Sequence, residues 1–380
     1  MRGRGLYVGL ALLVVLALVA SACGPQQAAG KPIKFGHIGV STGPMAEFGE
    51  DIRHGIELAV EEVNQAGGIN GRPIEVVFED DGADPPKAAV AAAKFAADPE
   101  IVGIIGPTMT ATFAAVADIL DKNKIPAVST FATLDSLFNG QCKYCFTTGF
   151  LNTWQVKYMV PEALKRGDKI ALLHDTTAWG MEAKDIFISD LKAKGKDPVA
   201  VIPYEVRQAD YTPQILAAQR AGANVIQHFG VGPDFVIAAR NIQQLNYKVA
   251  IMGNIGLGTR ATVNLGKDAV EGVFHPDGID YSKPAAQALR DKMKARYGVD
   301  YDTFVPMTSY DIVKILVNAV KKVGPDREKV RQAIEETTGF ETIAGKSGTK
   351  ANFAKDKHAA FTAEDQVMKV IKGGVRVNVN

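Results

Sequence analysis

From Lys34 to about Lys248, short runs rich in β-branched residues alternate with stretches whose apolar residues recur every three or four positions. Ile33 to Val40 reads as a strand running into a turn. Asp51 to Ala66 sets Ile52, Ile56, Ala59, Val60 and Val63 on one helical face and stops at Gly67-Gly68. Pro73 to Glu79 predicts the next strand, and Asp84-Pro85 caps and opens a helix through Phe95, because proline is tolerated in a first turn. Ile101 to Ile105 has the unbroken apolar character of a buried parallel strand. Thr110 to Lys122 predicts a helix with Phe113, Val116, Ala117 and Leu120 inward, and Pro126 to Ser129 a short strand.

After Phe150 the alternation starts again. Helices are expected over Trp154–Arg166, Gly180–Lys194, Thr212–Ala221 and Pro233–Leu245, with strands at Lys169–His174, Val199–Tyr204, Asn224–Phe229 and Val249–Met252. Two consecutive βαβ arrays, each with its own parallel sheet, predict an α/β protein of two doubly wound lobes. Residues 282–338 are helix-rich and return to cover the first lobe, while Gln366 to Val379 reads as a β-hairpin over Gly373-Gly374 that completes the second. The expected division is 33–149 plus 278–345 for one lobe and 150–277 plus 346–380 for the other. Three chain crossings would then form a hinge.

The first residues follow a different pattern. Arg2 and Arg4 precede an apolar run from Leu10 that ends in Ala20-Ser-Ala-Cys23. The run is too short for a stable membrane span but fits an export segment, residues 1–22, removed by a signal peptidase. Its end resembles a bacterial lipobox, in which the cysteine sulfur receives a diacylglycerol. Cys23 is therefore the expected lipidation site and residues 23–32 a tether. The working protein is expected outside the cytoplasm, in the periplasm or at the cell surface, anchored to a membrane by lipid.

Removing residues 1–22 takes away Arg2 and Arg4, turning 43 basic against 42 acidic side chains into a slight acidic excess. Such a balance gives no argument for nucleic acid as a partner. Cys142 and Cys145 then remain as an even pair in an oxidising compartment. Because Phe146-Thr-Thr-Gly reads as a strand and turn rather than a helix start, a local structural disulfide fits best; free thiols, a metal contact and a redox pair are the alternatives.

A longer series of residues carries a family resemblance. Ile38-Gly-Val-Ser-Thr-Gly-Pro44, Phe48-Gly-Glu, Asn64-Gln-Ala-Gly-Gly-Ile-Asn-Gly-Arg72, Asp80-Asp81, Gly106-Pro107, Ile125-Pro-Ala-Val-Ser129, His174-Asp175, Trp179-Gly180 and Thr308-Ser-Tyr310-Asp311 occur in order. This series resembles the type I periplasmic binding proteins of the leucine/isoleucine/valine-binding family, over nearly the whole mature chain. The resemblance implies the fold of that family and the role of solute-binding component of an ABC importer. It implies permease subunits and, through them, cytoplasmic ATPases as partners, with no cofactor or metal and a monomeric chain.

It also implies site residues. In the loop Gly106-Pro-Thr108-Met109-Thr110, backbone N–H groups, the Thr110 hydroxyl and a helix N-terminus would hold a ligand carboxylate; Thr110 can equally serve as an N-cap. In the loop after Ser129, Phe131 and Ala132 would offer backbone and Thr133 its hydroxyl, unless this is an ordinary polar turn. Phe48 would lie against the ligand or serve as a core aromatic, and Trp179 would close over the solute or be structural.

One departure concerns the solute. Family members that hold an α-ammonium do so with an acid where this chain has Ile255, aided by an aromatic where it has Val231. An ammonium left unpaired costs several kcal/mol, so the pocket is expected to suit an apolar or aromatic carboxylate. A slip of one residue would give Asn254 part of the polar role, and a bound amino acid would require Asp175 or Asp234 as its carboxylate. The alternatives are branched-chain amino acids, an amide or urea-type solute, or a sensor role beside a signalling partner. No G-x-S-x-G elbow, phosphate-binding loop or metal-spaced histidine pattern points to an enzyme.

Overall fold

The computed structural model describes residues 30–379. Cys23 and the expected export segment lie outside them. The first sheet is all parallel, in the order β2-β1-β3-β4-β5. Its strands are β1 (Ile33–Gly39), β2 (Ile74–Asp80), β3 (Ile101–Ile105), β4 (Ala127–Ser129) and β5 (Cys145–Thr147). The helices between them are α1 (Ala46–Gln65), α2 (Pro85–Ala97) and α3 (Thr110–Lys122). Proline at the first position of α2 and the Asp84 side chain, which accepts from Lys87 N, start that helix as the sequence suggested. The strand order reverses between β1 and β3, and a crevice opens there beyond the carboxyl ends.

The second sheet has the order β14-β13-β10-β9-β8-β6-β7. Its parallel part is β6 (Ile170–Asp175), β7 (Ala200–Tyr204), β8 (Val225–Phe229), β9 (Ala250–Gly253) and β10 (Phe274–Asp277). Helices α4 (Asn152–Arg166), α5 (Ala178–Ala193), α6 (Thr212–Arg220), α7 (Gly232–Gln244) and α8 (Arg260–Gly266) surround it. The hairpin β13 (Val367–Lys372) and β14 (Val375–Asn378) adds antiparallel to β10. Its inward face carries charge. Lys369 is buried beside Asp277 at 3.3 Å, and Arg376 pairs with Asp302 and donates to Thr259 O at 3.1 Å.

Helices α9 (Pro284–Tyr297), α10 (Val305–Val323) and α11 (Arg327–Glu335) return to the first lobe. There Ile312, Ile315 and Leu316 of α10 share one core with Ile52 and Ile56 of α1. The short pair β11 (Phe340–Glu341) and β12 (Lys350–Ala351) also stays with this lobe. Residues 346–361 were expected in the second lobe and are placed otherwise. Ala359 bridges Thr147 at the edge of the first sheet, Phe353 meets the Phe146 ring edge-on at 5.7 Å, and the apolar Phe361 joins the first core. The pull of that core over three buried aromatics decides the boundary, and the third crossing falls just before β13. Cys142, just before β5, and Cys145, its first residue, are joined as a disulfide.

The helix pair α1–α10 covers the face of the first sheet and packs tightly at Gly55. A Cβ there would lie 2.2 Å from both Pro306 O and Ser309 Oγ, and Ser309 Oγ already donates to Ile52 O across the same contact at 2.9 Å. Backbone on both sides leaves little room to relax. Gly55→Ala is therefore expected to lower stability by about 1–3 kcal/mol, seen as a lower urea midpoint; an unchanged midpoint would show that α10 can move away freely.

Candidate functional site

The carboxyl edges of the two sheets face each other across a cleft with a cavity volume of about 150 Å³. From the first lobe come Phe48, Met109, Thr110 and Phe131; from the second come Asp175, Trp179, Val231 and Asn254. Phe48 and Phe131 meet edge-on at 5.2 Å, so each ring fixes the other while one edge of the pair faces the cleft. Most of the wall is apolar, and Asp175 is the single charged side chain among the lining residues.

The first-lobe loops are held by hydroxyl groups. Ser129 Oγ, buried at the end of β4, donates to Pro107 O at 2.7 Å and accepts from Ala132 N at 2.9 Å and Phe131 N at 3.3 Å. Thr110 Oγ1 accepts from Thr133 N at 3.2 Å. Those bonds use the N–H groups of 131–133 within the protein. The N–H groups that remain at the cleft belong to the first turn of α3, where Met109, not Thr110, is the N-cap residue and no side chain caps the helix. The Thr110 hydroxyl keeps its proton for a further acceptor.

Six expected residues thus surround the cleft from both lobes: Phe48, Met109, Thr110, Phe131, Trp179 and Val231. Four sit differently. Thr108 is buried behind the wall, its hydroxyl without a partner among the described residues, and Ala132 is packed in the core under α3. Thr133 Oγ1 accepts a hydrogen bond from Trp179 Nε1 at 2.8 Å and donates to Asn152 Oδ1 at 3.3 Å, so its hydroxyl joins the lobes instead of lining the cavity. Ile255, expected where an acid would face the solute, turns its side chain into the first-lobe core. Asn254 and Gly256 on either side of it line the cleft instead, with Asn254 Nδ2 fixed on Gly230 O at 2.8 Å. An apolar side chain gains more from the core than from a half-open cleft.

The lobes also meet at a charged cluster. Arg260, the first residue of α8, reaches across to α1 and pairs with Asp51 at 2.7 Å, Glu47 at 2.9 Å and Glu50 at 3.3 Å. Asn264 adds a bond to Glu47 at 2.7 Å. Burial pushes the Asp51 carboxyl up to about 6 even though Arg260 opposes the shift. A second tie runs from Asn152 Nδ2 to Glu182 Oε2 at 2.7 Å, and Glu182 accepts from Asp135 N of the first lobe at 3.3 Å. Sequence periodicity gave no sign of either tie, since charged residues on an exposed helical face read as ordinary solvated surface.

Comparison with known proteins agrees with this architecture. Residues 32–373 match the family described as periplasmic binding protein. A Leu/Ile/Val-binding protein homolog of Brucella melitensis is 27% identical over 343 residues, covering 89% of this chain and 92% of the relative. A leucine-, isoleucine-, valine-, threonine- and alanine-binding protein of Pseudomonas aeruginosa is 29% identical over 331 residues, covering 84% and 86%. The crystal structure of a type 1 periplasmic binding protein from Bordetella pertussis superposes with a TM-score of 0.85 at 24% identity, covering 92% of this chain and 99% of that one. A leucine-binding protein of Thermotoga maritima gives 0.80 at 21% identity, covering 92% and 98%.

Arg260 is not itself among the lining residues but spans the lobes, so its removal tests closure more than direct contact. Arg260→Ala would leave Asp51 buried without its partner. The variant is expected to show a larger radius of gyration by small-angle scattering with solute present, and about 10-fold weaker solute binding. Unchanged values of both would show that the cluster plays no part in holding the lobes together.

Proposed function

This chain belongs to the periplasmic binding protein family, and from that premise we propose that it is the extracytoplasmic solute-binding component of an ABC importer. It captures a small organic acid with an apolar or aromatic body by closure of the two lobes. Permease subunits and cytoplasmic ATPases receive the solute and supply the work of transport; capture itself requires no chemistry on the solute. The observation that carries the reading is the cleft. Its walls are apolar, no basic side chain lines it, and the donors left at its first-lobe end are the N–H groups of the α3 turn with the Thr110 hydroxyl. An uncapped helix start of this kind suits one carboxylate.

An α-ammonium would sit one carbon from that carboxylate, among donors and without an acceptor acid on the first-lobe side. The cost of burying it unpaired is several kcal/mol. A branched-chain amino acid is the second reading, favoured by the names of the relatives above. Calorimetry with a matched pair separates them. 4-Methylpentanoate has the carbon skeleton of leucine without the amino group and is expected to bind more tightly than leucine, isoleucine or valine. Tight leucine binding with no binding of apolar acids would refute the organic-acid reading.

We also propose that Cys23 carries the lipid that holds the protein at the membrane. Its support is the run Ala20-Ser-Ala-Cys23 after an apolar segment with Arg2 and Arg4 before it. Cys23→Ser is expected to move the protein from the membrane fraction to the soluble fraction. Retention of the variant in membranes would rule the anchor out.

A further inference from the structure

Asp175 closes β6 and is almost wholly buried, with 1% of its surface exposed, yet it lines the cleft. Two hydrogen bonds hold it, and both go to the same oxygen. Thr177 donates its N–H to Oδ1 at 3.0 Å and its hydroxyl to Oδ1 at 2.5 Å. The other oxygen, Oδ2, accepts no hydrogen bond among the described residues. Thr177 is the N-cap of α5, so the clamp on Oδ1 is part of how that helix begins and fixes the direction of the carboxyl group.

The surroundings offer Oδ2 nothing. Tyr204, the nearest hydroxyl-bearing group on the adjacent strand β7, is engaged with His228 Nε2 at 3.0 Å and Phe229 O at 3.1 Å. Asp234, in the first turn of α7, is itself buried and acidic; its Oδ1 accepts from Arg207 N at 3.0 Å and its Oδ2 has no partner among the described residues. The charge of Asp234 adds to burial in pushing the Asp175 carboxyl above its ordinary range. Two acids therefore stand together on the second-lobe side of an apolar cleft, with one carboxylate oxygen left open there. Water can reach Oδ2 while the cleft is open; a solute that covers it without donating strips that water at a cost, and a bound group that donates recovers the cost.

We propose that Asp175 determines specificity by accepting a hydrogen bond, through Oδ2, from a hydroxyl or amino group carried by the solute at the end away from its carboxylate. The proposal rests on the organic-acid reading and narrows it. The carboxylate meets the α3 turn and Thr110 in the first lobe, the apolar body lies along Phe48, Phe131 and Trp179, and the donor reaches Asp175 in the second lobe. A solute of this form touches both lobes through polar groups, so it rewards closure at both ends. A plain apolar acid leaves Oδ2 desolvated and unpaired when the lobes meet. A site built around a buried acceptor rejects the analogue that lacks the donor.

The test is calorimetry on the purified protein with two pairs of acids: 3-phenylpropanoate against 3-(4-hydroxyphenyl)propanoate, and hexanoate against 6-aminohexanoate. The donor-bearing member of at least one pair is expected to bind about 10-fold more tightly or better, the range of a hydrogen bond to a charged group. The hydroxyl and amino arms show which donor the site takes. Asp175→Asn keeps an oxygen for Thr177 but presents an amide where Oδ2 stood, and is expected to bring the ratio close to one. Equal binding within both pairs in the unaltered protein would overturn the proposal while leaving the organic-acid reading intact, and this needs no variant to fold. Survival of the preference in Asp175→Asn would also overturn it. Failure of all four acids to bind would remove the organic-acid reading and this inference with it.

Discussion

Strand direction is the constraint on which the rest of the molecule depends. Parallel strands joined by helices all leave their sheet at the same edge, because each crossover carries the chain back before the next strand begins. With two such sheets in one chain, two sets of loops must gather at two carboxyl edges. Once those edges face each other, the cleft is already determined. Phe48 follows the end of β1, Thr110 follows β3, Asp175 ends β6, Val231 follows β8 and Asn254 follows β9. Their side chains select what binds, but backbone topology decides that they meet at all.

Charges at the lobe boundary serve geometry more than energy. Burial raises the Asp51 carboxyl to about 6 despite two hydrogen bonds from Arg260, because removal of water outweighs the attraction. Such a cluster tolerates little displacement, since each partner is satisfied in one arrangement only. The Trp179–Thr133 bond acts in the same way on the other side of the cleft. Apolar contact between lobes can slide; these polar contacts set where it stops.

The sequence made most of the fold legible, because periodic apolar positions report on secondary structure directly. The approximate limits of most strands, the helix starts at Asp84-Pro85 and Thr110, and the closing hairpin follow from local pattern, whereas β10 and the short pair β11–β12 are not legible, being too short to show an alternation of their own. Loops that face the cleft were legible as loops, and the family resemblance supplied their roles. Side-chain direction within them was not. Ile255 and Asn254 are neighbours in a short turn, and which one faces the cavity depends on the first-lobe core that receives Ile255. Thr133 has the composition of a ligand-binding hydroxyl, but only the tertiary position of Trp179 shows that it is already engaged. The segment 346–361 has weak periodicity, and the buried aromatics Phe146, Phe353 and Phe361 decide its place through contacts about 200 residues apart in sequence.

The closing hairpin gives the molecule an order in time. Synthesis proceeds from the N-terminus, so β13 and β14 are made after every other strand of the two sheets. Until they arrive, β10 is an unpaired edge, and neither the Lys369–Asp277 pair nor the Arg376–Asp302 pair can form. The first sheet needs nothing beyond β5, although its covering helices and the strap around Phe353 come later. The second lobe therefore cannot reach its final structure before the hairpin is made. The same residues that complete its sheet join Arg376 to the first lobe at Asp302. The hairpin thus couples the two halves, and until it is in place there is no finished second lobe with which to capture anything.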